Sequence, residues 1–71
     1  MPAGWIVKIA AGSEPVEAGW TETVAVRISG RSQALHAVTM KYGGRYSRLF
    51  QELSDSEVDR MGLEAGEIRP L

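Results

Sequence analysis

The sequence predicts a small α+β domain in which an antiparallel β-hairpin is followed by a helix and two short helical segments. Three observations carry that reading. Two stretches near the start alternate with a period of two. Apolar residues in the second half fall at helical spacing, i, i+3 and i+4. The chain has 71 residues, so residues 1–71 are read as one domain. At this size about 60% of the unfolded surface is buried on folding, enough for a thin two-layer core.

Residues 5–10 are rich in β-branched and aromatic side chains and lie between Gly4 and Gly12, which predicts a strand. Trp5, Val7 and Ile9 share one face, the expected core side. Ile6, Lys8 and Ala10 share the other. Residues 12–20 read as a loop punctuated by Gly12, Pro15 and Gly19, longer than a hairpin connection needs. Residues 21–29 form the second strand, where Val24, Val26 and Ile28 alternate with Ala25, Arg27 and Ser29. A two-stranded ribbon is marginal in water, so a helix must cover its apolar face or a further strand must pair with its edge. An open edge also suits a second copy of the chain, and a homodimer through strand edges is one expectation.

Ser32 is the expected N-cap of a helix over 33–42. Ala34, Leu35, Ala37, Val38 and Tyr42 follow at helical spacing, and Gly43 stands just past the end. Tyr46, Leu49, Phe50 and Leu53 at i, i+3, i+4 and i+7 predict an amphipathic helix over 45–53, with a strand as the alternative for 45–51. Ser54 and Glu57 have the spacing of a capping box that opens a short helix over 55–61, which Gly62 stops. Residues 64–66 read as a turn and 67–71 as a tail that Pro70 keeps from being helical.

Composition narrows the function. Cysteine is absent, which excludes a disulfide framework, cysteine metal sites and thiol catalysis, and a single histidine argues against histidine-rich metal sites. No cofactor is expected. The net charge of -1 divides unevenly. Lys8, Arg27, Arg31, Lys41, Arg45 and Arg48 outnumber Glu14, Glu17 and Glu22 before residue 51. Glu52, Asp55, Glu57, Asp59, Glu64 and Glu67 outnumber Arg60 and Arg69 after it. No acidic side chain falls between Thr23 and Gln51. The whole chain is therefore no general polyanion binder, but it leaves room for a smaller basic face. The simpler reading is two solvated halves that attract each other within the fold. No run of ~18 apolar residues spans a membrane, and the opening lacks the regions of a signal peptide. The expected location is the cytoplasm.

The segment Leu53-Ser-Asp-Ser-Glu-Val-Asp-Arg-Met-Gly-Leu63, followed by Glu67-Ile68, resembles the tail of the small arginine-rich YjiS-like proteins. Arg48 and Leu49 stand where that family has an arginine-bearing helix. The resemblance covers residues 45–68, about a third of the chain, and its motif is short. The family is almost wholly helical and strongly basic, whereas this chain opens with two predicted strands and is slightly acidic. The resemblance implies regulation through RNA or protein contacts.

Candidate chemistry is sparse. Ser32 and His36 are four apart on one predicted helix, but no third orienting group or oxyanion site accompanies them. Asp55 and Asp59 share a helix face and suit either weak divalent-ion binding or a solvated acidic first turn. The segment 41–46, Lys-Tyr-Gly-Gly-Arg-Tyr, is the best functional cluster. Its glycine amides can converge on an anion, Lys41, Arg45 and Arg48 can neutralise phosphates, and Tyr42 or Tyr46 can stack on a base. The same segment also fits a helix C-cap leading into a second helix. Trp20, with Glu14 and Glu17 nearby, has the character of a protein-interface anchor or of a lid over the hairpin.

The expected function is therefore a non-enzymatic interaction module that binds a larger protein or nucleoprotein complex. Its candidate interface is Glu14, Glu17, Trp20, Asp55 and Asp59. Small regulators fit this description, as do phage-encoded inhibitors such as anti-CRISPR proteins, by analogy of size and lack of catalytic equipment. The alternative is direct binding of RNA or DNA through the basic 27–48 segment, with Arg27, Arg31, Lys41, Arg45, Tyr46 and Arg48 as the contacts.

Overall fold

The alternation near the start produces the hairpin expected of it. In the computed structural model, which describes residues 2–12 and 20–71, β1 runs Gly4–Ala10 and β2 runs Trp20–Val26. They pair antiparallel with Trp5 opposite Val26, Val7 opposite Val24 and Lys8 opposite Thr23. Trp5, Val7, Ile9, Val24 and Val26 are buried on one face, as the period of two requires. The Trp5 indole Nε1 donates to the Ser29 carbonyl at 3.2 Å, which supplies the partner that a buried indole needs.

Helix α1, Arg31–Lys41, covers that face through Ala34 and Val38. It starts two residues earlier than the sequence suggests. Gly30 occupies the N-cap with no side-chain hydrogen bond, and Ser32 lies inside the first turn. At the other end Gly43 and Gly44 both take positive φ, 68° and 82°, which carries the chain away from the helix.

Residues 45–53 correct the sequence reading. They do not form a helix: β3 spans Ser47–Leu53 and pairs antiparallel with the free edge of β1. That edge belongs to a strand already buried on its apolar face. Leaving its backbone groups unpaired would cost more than any helical preference of this segment returns. The helical spacing has a specific origin. The register shifts between Ile6 and Val7, so that Val7 faces Leu49 and Ile6 faces Gln51, with Phe50 as the extra residue. Leu49 therefore packs on the first core while Leu53 enters a second one, although they are four residues apart. A strand with one inserted residue thus copied an i, i+4 pattern.

The tail also corrects the reading. Ile68–Pro70 forms β4, antiparallel to β2, and completes a sheet of order β3-β1-β2-β4. Pro70 is tolerated because β4 is an edge strand.

Helix α2, Asp55–Met61, closes the opposite face with the boundaries expected of it. The Ser54 hydroxyl accepts from the Glu57 amide at 3.3 Å, and the Glu57 carboxylate accepts from the Ser54 amide at 3.1 Å. Gly62 ends the helix at φ 70°. Val58 meets Ala25, Leu53 and Leu63 in a second buried cluster. The core is therefore two clusters on opposite sides of one sheet, not a single two-layer core. Two arginines then fasten the C-terminal end of α2. Arg69 donates to the carbonyls of Met61 and Gly62, the latter at 3.2 Å. Arg27 donates to the Leu63 carbonyl at 2.6 Å and pairs with Asp59 at 3.4 Å. Glu67 holds Arg69 in place and also accepts from the Glu64 amide at 2.9 Å.

Gly4 marks the tightest point of this packing. A Cβ there would lie 2.3 Å from the Val26 carbonyl oxygen and 3.2 Å from Val58 Cγ1. Gly4→Ala should therefore destabilise the fold by about 1–3 kcal/mol, read from the urea midpoint. The Glu64 amide, followed by Arg69, holds the Glu67 carboxyl below its ordinary pKa. A depressed carboxylate contributes stability above its unfolded pKa and loses it as pH falls through the folded value. The difference in urea midpoint between the wild type and Glu67→Gln should thus narrow as pH drops from about 6 towards about 3.

Candidate binding face on the uncovered half of the sheet

Helix α2 has only seven residues, and its buried contacts fall on the Ala25–Leu53 end of the second face. Among the described residues, no helix covers the other end. There Lys8 stands opposite Thr23 on β2 and opposite Arg48 on β3, so the two cations lie on adjacent strands. The inserted residue Phe50 lies on the same side, with Lys8 Nζ 3.9 Å from the centre of its ring. Trp20 is paired with Ala10, and Tyr46 accepts a backbone hydrogen bond from the Ala10 amide. Their rings stack across Ala10 at 5.7 Å with 23° between planes. Lys8, Trp20, Arg48, Leu49 and Phe50 line a shallow depression of about 380 Å³. Phe50 is 61% exposed there.

The structure separates the basic residues of 27–48 into structural and surface groups. Arg27 is engaged with α2. Arg45 is engaged more completely: it donates to the Ala10 carbonyl at 2.6 Å, to Thr21 Oγ1 at 2.5 Å and to the Glu22 carboxylate at 2.5 Å. Its guanidinium also lies 5.9 Å from the Tyr42 ring. The glycine amides proposed for an anion are given to the end of α1, Gly44 to the Thr39 carbonyl at 2.9 Å and Gly43 to Met40 at 3.5 Å. The 41–46 segment is thus a C-cap followed by an anchor. Arg31 lies over the Trp5 ring at 5.6 Å, at the other end of β1. Lys41 is exposed on α1. Only Tyr46 and Arg48 of that group join the open face.

Trp20 joins them from the second candidate set, while Glu14 and Glu17 lie outside the described residues. Asp55 is exposed in the first turn of α2, and Asp59 faces Arg27. Lys8 and Phe50 were missed by sequence reasoning. Lys8 had a signal, because β1 places it opposite the core face. Phe50 had none, because its spacing assigned it to a helix stripe.

Ser32 and His36 are both exposed on α1. Among the described residues no three histidine, aspartate or glutamate side chains gather in a way that could hold a metal ion. No described helix is long and apolar enough to cross a membrane. No family model, curated protein or solved structure matches the chain.

The two arginines of β3 and its approach should behave differently on substitution. Arg45→Ala removes charged hydrogen bonds that join three segments and should cost about 1.5–3 kcal/mol. Arg48→Ala should change stability by no more than about 0.5 kcal/mol. Thermal or urea denaturation of the two variants checks both values.

Proposed function

We propose that this chain is a non-enzymatic cytoplasmic binding module that engages a larger protein or nucleoprotein assembly through the open half of its sheet. The observation that carries this reading is the exposed Phe50 held against Lys8 beside the Trp20–Tyr46 stack. Aromatic and arginine side chains are enriched at interface centres and supply much of the binding energy there, and Trp20, Phe50 and Arg48 bring that composition to this face. The face is set on paired strands, so its side chains are held in place before a partner arrives, which lowers the entropic cost of binding. The acidic outer side of α2, with Asp55 in its first turn, lies beside it and gives the module a polarity that disfavours anionic partners on that side.

Photo-crosslinking tests the position of the interface without knowledge of the partner. Replacing Phe50 by p-benzoylphenylalanine should give discrete adducts in a cell lysate. The same residue in place of Met40, exposed on α1, should not. Adducts at position 40 and none at position 50 would place the interface elsewhere.

A further inference from the structure

We infer that the ligand of the open face is a single-stranded nucleic acid. The inference rests on the reading of that face as the binding surface and adds the chemistry of its occupant. Three features favour this class over a peptide. The depression is lined by two cations and two aromatic rings, and none of its described lining residues is a carboxylate. Lys8 and Arg48 are cross-strand neighbours, so both charges can meet one phosphate backbone. Phe50 lies against Lys8 as an exposed ring, and bases stack on such rings whatever their sequence. The combination of phosphate contacts with accessible rings suits bases that are already unstacked. A duplex hides those base faces and would offer its backbone alone.

The geometry also sets the extent of the site. Trp20 and Tyr46 close one end by stacking on each other, and acidic α2 closes the other. With two cations and a depression of about 380 Å³, the face engages only a few nucleotides. Binding is therefore of modest affinity, and its salt dependence is shallow. Two phosphate contacts on a single strand give a slope of about -1.4 in log affinity against log salt, roughly a sevenfold loss between ~50 and ~200 mM.

Fluorescence anisotropy with labelled uridine and thymidine oligomers of about 12 nucleotides tests this, with a duplex of equal length and inorganic polyphosphate as comparison probes. The expected result is saturable binding of both single strands with that salt slope, and weaker binding of duplex and polyphosphate. Phe50→Ala should weaken single-strand binding about fivefold or more. Lys8→Ala and Arg48→Ala should each reduce the slope by about 0.7. Met40→Ala should change neither. Circular dichroism melting confirms that Phe50→Ala, a surface change, still folds. Absence of saturable binding by the wild type, equal binding of polyphosphate, or an unchanged affinity in folded Phe50→Ala overturns the inference. If oligomers fail while position 50 still crosslinks to proteins, the face reading stands and the occupant is a protein surface. If position 50 gives no adducts at all, the face reading itself fails.

Discussion

The structure depends on satisfying β1 on four sides at once. Its apolar face is covered by α1 and its opposite face by α2 at the Gly4 end. Its backbone is paired with β2 along one edge and β3 along the other. The backbone donors and acceptors of a strand flanked on both edges point at its neighbours and not at water, so the pairing is obligatory. That requirement explains why residues 47–53 extend. It also explains why Gly4, and not a larger residue, stands where a helix, a carbonyl and the strand converge.

The sheet edges follow from the same arrangement. With β1 and β2 in the interior, the exposed edges are β3 and β4. β3 carries the irregularity at Phe50, and β4 has three residues, the last of them Pro70. Both devices interrupt the regular ladder of donors and acceptors that another strand would need. The edge problem posed by an isolated hairpin is thereby moved outward to strands that are poor templates.

Local chemistry in this chain was legible and long-range pairing was not. The two strands of the hairpin, the buried face of β1, the capping box at Ser54 and the stop at Gly62 are all written within a few residues of where they act. The strand nature of 47–53 depends on the edge of β1, distant in the chain, and one inserted residue disguised its period as helical. The candidate face suffered from the same gap. Arg45 looked like an anion ligand because its partners Ala10, Thr21 and Glu22 are distant in the chain, whereas the C-cap role of the two glycines was legible beside the anion reading. Lys8 and Phe50 come together only when β3 docks. Local charge runs set the sign of a surface, and pairing decided which charges remained on it.

Arg45 has a consequence for the evolvability of the chain. One guanidinium joins the last residue of β1 to the first residues of β2 and to the approach to β3. The Tyr46 amide adds a further tie to the Gly12 carbonyl at 2.8 Å. The two ends of the β1–β2 connection are therefore fixed by contacts outside the connection itself. Lengthening a segment whose ends are already held costs only the slow logarithmic growth of loop-closure entropy, about 0.6 kcal/mol for each doubling. The hairpin is thus a natural insertion point. New sequence grafted there would emerge beside Trp20, at the rim of the open face, and could widen what that face recognises without disturbing the sheet beneath it.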